Sequence, residues 1–90
     1  MQKHVNLKIT GKVQGVWFRG STQQKARELG VKGTVRNLPD GSVFVEAEGE
    51  EEVLQQFIAW CHRGSDHARV EKVEVEAGGW QGFERFEVVR

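Results

Sequence analysis

The sequence predicts an α+β fold with the element order β-α-β-β-α-β and one short C-terminal strand. Three observations carry this. Alternating apolar and polar residues mark four strands. Two stretches repeat their apolar residues at spacings of three and four, as one face of a helix does. Turn formers such as Leu38-Pro39-Asp40-Gly41 separate neighbouring stretches.

Taken in order, Lys3–Val13 places Val5, Leu7 and Ile9 on one face and Asn6, Lys8 and Thr10 on the other, so it reads as a half-buried strand. A helix is expected over Phe18–Leu29, with Phe18, Thr22, Ala26 and Leu29 on one stripe and Gly30 as its stop. A second strand runs over Val31–Asn37 and a third over Ser42–Glu48, where Val43, Val45 and Ala47 alternate with Phe44, Glu46 and Glu48. The Pro39-Asp40-Gly41 turn between them makes a hairpin.

Gly49-Glu50-Glu51-Glu52 opens the second helix, and its glutamates suit the positive end of a helix dipole. Val53, Leu54, Phe57, Ile58 and Cys61 form its apolar stripe, and Gly64 ends it. A fourth strand covers Val70–Ala77, Gly78-Gly79 breaks it, and a last short strand is expected over Phe83–Val89. This order is the ferredoxin-like split-βαβ plan, an antiparallel sheet with two helices on one face and a more polar opposite face. The plan hosts many activities, so function must come from a site.

Ninety residues fit one domain, expected to span 1–90. Charged residues make up 29% and hydrophobic residues 38%, a globular rather than a disordered balance. No apolar run approaches the roughly 18 residues that span a bilayer. Met1-Gln2-Lys3-His4 lacks the apolar core of a signal peptide, and a lone cysteine suits a reducing compartment, so a cytoplasmic location is expected. The net charge is zero but uneven. Residues 1–40 carry eight Lys/Arg against Glu28 and Asp40, hence +6, and residues 41–90 carry five against eleven, hence −6. A basic first part suggests a local anion site. The neutral total disfavours a broad nucleic-acid footprint.

The chemistry concentrates in Gly11-Lys12-Val13-Gln14-Gly15-Val16-Trp17-Phe18-Arg19-Gly20, between a predicted strand and a predicted helix. Backbone N–H groups entering a helix have no intrahelical partner and can converge on an anion. Gly15 lets the backbone approach a ligand closely. Arg19 adds a planar, permanently charged fork for phosphate or carboxylate. Phe18 is expected in the core, and Trp17 either outward or covering one side of the loop. The stretch is neither a Walker A loop nor a dinucleotide fingerprint. On spacing alone, an ordinary loop with a surface arginine fits as well as an anion cradle.

Gly11-x-Val13-Gln14-Gly15-Val16-x-Phe18-Arg19 resembles the signature of the acylphosphatase family, as does Gly33-x-Val35-x-Asn37-x-x-Asp40-Gly41-x-Val43. The likeness continues through Glu48-Gly49, the second helix and Ala68-Arg69-Val70. Thr34 departs from the family's frequent aromatic, and Gly64-Ser65-Asp66-His67 from its proline-containing turn. The resemblance implies hydrolysis of acyl phosphates to carboxylate and inorganic phosphate. It implies that Arg19 and the backbone N–H groups of Gln14, Gly15, Val16, Trp17, Phe18 and Arg19 bind the phosphoryl oxygens, and that Asn37 positions the attacking water. It implies neither cofactor nor metal, a small-molecule substrate, and phosphate as product and competitor. Nothing in the sequence demands more than a monomer, and its charge balance and hydropathy lead to the expectation of neither a nucleic-acid nor a membrane partner.

Other residues read more simply as structural. Asp40 is a turn former, Cys61 a core residue, Ser21 and Thr22 first-turn residues, and Trp60 and Trp80 packing residues. His4, His62 and His67 lack metal-ligand spacing. Two alternatives remain on the same fold: a domain that binds acyl or carbamoyl phosphate without turnover, and a nucleic-acid-binding module. The module would need stacking aromatics on its strands, where the third strand offers only Phe44.

Overall fold

The computed structural model describes residues 1–89. Its elements are β1 (Gln2–Lys12), α1 (Phe18–Leu29), β2 (Lys32–Asn37), β3 (Val43–Glu50), α2 (Glu51–Arg63), β4 (Arg69–Ala77) and β5 (Phe86–Val88). They form one five-stranded sheet in the order β4-β1-β3-β2-β5. The first four strands pair antiparallel, with Leu7 opposite Val45 and Val35 opposite Val45 on its other side. β5 joins β2 in parallel, so the sheet is mixed at that edge.

Both helices pack on the face presented by Leu7, Ile9, Val35, Val43, Val45 and Ala47. Phe18 and Ala26 of α1 and Leu54, Phe57 and Cys61 of α2 complete a single core there. Phe86 anchors β5 in it, edge-on to Phe57 at 5.9 Å. The helices end on Gly30 and Gly64. Glu51 and Glu52 occupy the first turn of α2, while Glu50 closes β3 and meets the amino group of Met1. Among the described residues, no helix is long and apolar enough to cross a membrane.

The opposite face departs from the expected polar surface at one end. His4 and Glu48 face each other across β1 and β3 and are buried, at 4% and 2% exposure. His4 Nδ1 lies 2.7 Å from Glu48 Oε2, and its Nε2 lies 2.8 Å from Asn6 Oδ1. The backbone N–H groups of Gln81, Gly82 and Phe83 also donate to the Glu48 carboxylate, at 2.6, 3.0 and 3.0 Å. Phe83 stacks on the His4 ring. These residues form a strap leading from β4 to β5, and the last strand begins at Phe86 rather than at the expected Phe83. Their donors are spent on Glu48 instead of a sheet ladder. Trp80, on the strap, is 55% exposed rather than packed.

Burial pushes the Glu48 carboxyl up, but the Gln81 N–H, His4 and the Phe83 and Gly82 N–H groups outweigh it and hold the carboxyl below its ordinary range. Stability from this source is full above the unfolded value near 4.5 and is lost as pH falls through the lower native value. Truncation by Glu48→Ala strands three donors and a histidine, and should cost about 3–5 kcal/mol in urea unfolding at pH 7. Glu48→Gln should also destabilise, with a deficit against the unsubstituted protein that shrinks between pH 6 and pH 3. A second expectation concerns Cys61, whose buried thiol is pushed up to about 12. A thiol reagent at pH 8 should label it only as fast as the protein opens, and at once in denaturant.

Candidate active site

The turn from β1 into α1 is held at both ends by burial. Val13 and Phe18 are each 1% exposed, and Phe18 packs against Trp60. Gly11 lies within β1 beside its register shift and takes no part in the turn. Between the anchors, Gly15 has φ +75 and Trp17 φ +59, while Val16 is not in the positive region. Backbone that alternates between left-handed and other conformations is the type that forms N–H concavities in proteins. At Gly15 the missing Cβ removes the strain. At Trp17, the one other residue of the loop with positive φ, the conformation costs about 1–3 kcal/mol.

Trp17 is also the N-cap of α1, and its carbonyl accepts from Ser21 N–H at 3.1 Å. No side chain caps this end, and no acidic residue stands in its first turn. In contrast, α2 begins with two glutamates. The positive end of α1 therefore has no acidic side chain in its own first turn to balance it.

Two side chains fix the loop. Gln14 Nε2 donates to Leu38 O and Ser42 O, both at 2.8 Å, and so ties the loop to the β2–β3 turn. Ser65 Oγ donates to Val16 O at 3.0 Å. Ser65 belongs to the turn that departs from the family pattern, and here that turn supports the loop. The β2–β3 turn is itself braced by Asp40, whose carboxylate accepts from Ser42 N–H and Oγ and meets Lys8 Nζ at 3.0 Å. The Ser42 hydrogen bonds and then Lys8 hold the Asp40 carboxyl well below the usual range, as befits a turn former rather than a base.

A cleft of about 640 Å³ opens beside this loop. Gly15, Trp17, Phe18, Arg19 and Asn37 all line it, so the structure brings together the strand end and the helix start singled out in the sequence. Gln14 and Val16 do not line this cleft, and Val16 instead lines a neighbouring depression. Arg19 has no carboxylate within ion-pair distance among the described residues. Asn37 Oδ1 is buried and meets no donor among them. A buried polar atom without a protein partner marks a place for water or ligand.

The cleft also contains residues that the sequence reading passed over. Gln23 and Arg27 follow Arg19 at i+4 and i+8 on α1, a spacing that could have been read. Gln23 Nε2 donates to Phe86 O at 3.0 Å and holds β5 against the helix. Val88 of β5 closes one side, and only the parallel pairing of β5 with β2 brings it there. No cluster of three or more His, Cys, Asp or Glu fit to hold a metal occurs among the described residues.

The fold and the cleft define a small α+β protein whose strand-to-helix turn shares one cleft with Arg19, which meets no carboxylate among the described residues, and with the Asn37 amide. The acylphosphatase family model matches residues 5–88, and the chain belongs to that family. It is 52% identical over 86 residues to an acylphosphatase of Rubrobacter xylanophilus, covering 91% of this chain and 78% of that one. It is 47% identical over 89 residues to an acylphosphatase of Methylococcus capsulatus, covering 98% and 97%. The crystal structure of acylphosphatase from Bacillus subtilis superposes with a TM-score of 0.95 at 34% identity, over the full length of both chains.

The Gln14 fork generates a test. Gln14→Ala removes the tie between the loop and the Asn37 turn while leaving Arg19 and Asn37 in place. It should lower kcat/KM for an acyl phosphate about tenfold to a hundredfold, the scale of a small misplacement of reacting groups. Circular dichroism should show the fold retained.

Proposed function

We propose that the cleft hydrolyses acyl phosphates with Arg19 and Asn37 in distinct roles. The phosphoryl oxygens lie on the N–H groups of the Gln14–Arg19 stretch, and the Arg19 guanidinium spans two of them. Asn37 orients a water molecule in line with the bond to be broken. The water oxygen bonds to phosphorus as the bond from phosphorus to the acyl oxygen breaks. The carboxylate leaves with the electron pair, and the water proton passes to a phosphate oxygen. Asn37 does not take the proton, since an amide orients water and is not a base near pH 7.

The observation that supports this most directly is the uncapped, acid-free first turn of α1, opening on the same cleft as Arg19 and Asn37. Phosphoryl transfer needs placement and charge stabilisation on the equatorial oxygens, which backbone dipoles and one arginine supply. A carboxylate is a good leaving group, so the reaction requires neither a metal nor a strong acid. Inorganic phosphate, being what the cradle holds last, should compete with substrate.

The same reading takes residues 1–90 as one domain acting as a monomer in the cytoplasm. A buried single thiol suits a reducing compartment. The exposed edge strand β4 carries Glu71, Lys72, Glu74 and Glu76, and β5 has only three residues, features that discourage edge pairing.

Acetyl phosphate hydrolysis should proceed in EDTA and be inhibited competitively by phosphate. Arg19→Ala and Asn37→Ala should each lower kcat about a hundredfold to a thousandfold with the fold intact. Activity near that of the unsubstituted protein in folded Arg19→Ala would rule the mechanism out.

A further inference from the structure

A phosphate-centred site leaves the acyl half of the substrate unaccounted for. Trp17 is the one large apolar side chain of the cleft wall that the core does not use. It is 70% exposed, whereas its neighbour Phe18 is 1% exposed. Its backbone is held at φ +59 and ψ +30. Its indole lies against the first turn of α1, where a Cβ at position 20 would come within 2.5 Å of Nε1 and 2.6 Å of Cε2. Glycine at position 20 therefore makes the seat on which the ring rests. The fixed backbone and the seat together give an aromatic surface a defined place beside the phosphate loop. The indole forms a ridge, with the Arg19 cleft on one side and a second depression of about 390 Å³ on the other.

Exposing an indole forgoes the stabilisation of burying it. A rigid, exposed aromatic next to a reacting centre is suited to contact an apolar or aromatic group. We infer that Trp17 is a specificity residue, whose indole receives the acyl group and favours substrates with an aromatic acyl part. This rests on the reading of the loop as a phosphate cradle, since an acyl group emerging from phosphate held there meets the indole at the cleft mouth.

The test compares kcat/KM for benzoyl phosphate and acetyl phosphate in the unsubstituted protein, Trp17→Phe and Trp17→Asn. Asn tolerates positive φ better than other non-glycine residues, so W17N removes the ring with the least disturbance of the loop. Both substrates use the same cradle, and a change in the loop or in leaving-group chemistry cancels when the benzoyl-to-acetyl ratio is compared between proteins. The expected result is a ratio about threefold to tenfold lower in W17N, the worth of one aromatic contact, and largely kept in W17F. Gly20→Ala, which evicts the ring from its seat, should lower the ratio in the same direction. An unchanged ratio in W17N and Gly20→Ala would overturn the inference while leaving the phosphate cradle standing. Failure of the unsubstituted protein to hydrolyse either substrate would instead overturn the reading on which it rests.

Discussion

The proposed phosphate cradle requires a stationary β1–α1 backbone, and the Gln14 side chain supplies that restraint. Its two hydrogen bonds, to Leu38 O and Ser42 O, join the β1–α1 loop to the β2–β3 turn. The loop carries the donors, and the strand leading into the turn ends on Asn37. A single amide thus ties the loop that leads to Arg19 to the turn that follows Asn37. Burial of Val13 and Phe18 keeps the loop from sliding along its own axis, and Ser65 holds it from the other side. The strain at Trp17 persists because these restraints over-determine the loop.

The second restraint lies far from the cleft but reaches it through β5. Glu48 collects three backbone donors and His4, and so anchors the strap that carries the chain across the sheet. Beyond the strap, β5 lies beside β2, Val89 N–H donates to Val35 O at 2.8 Å, and Val88 faces the cleft. The wall opposite the loop therefore depends on a buried acid at the other end of the sheet. A buried acid satisfied by hydrogen bonds is seldom a large source of net stability, but removing it strands its buried donors, which is costly. Its role here is to fix one path for a segment with little apolar content.

Much of this was legible in the residues. The helix over Phe18–Leu29 follows from its stripe and from Gly30, and the hairpin from Pro39-Asp40-Gly41, because these signals are local. Phe18 inward also follows from the helix stripe. The His4–Glu48 pair was not legible. Its partners are 44 residues apart, and the strap contributes backbone groups that leave no mark on the sequence. The sequence places the start of the last strand at Phe83, whereas the strand begins at Phe86 because the Phe83 N–H is spent on Glu48. Gln14 was expected to serve through its N–H alone, because its side-chain partners are carbonyls of a turn 24 to 28 residues away. Val88 entered the cleft through a parallel pairing that no short-range pattern encodes.

The claim on which the rest depends is that phosphate rests on the backbone of one loop. The direct measurement is an amide NMR titration of the ¹⁵N-labelled protein with inorganic phosphate. The expected result is saturable, correlated movement of the Gly15–Arg19 amide resonances and of the Arg19 side-chain N–H, with β4 and α2 unmoved. Saturable shifts located elsewhere, or none in this loop at concentrations of phosphate that inhibit hydrolysis, would contradict it.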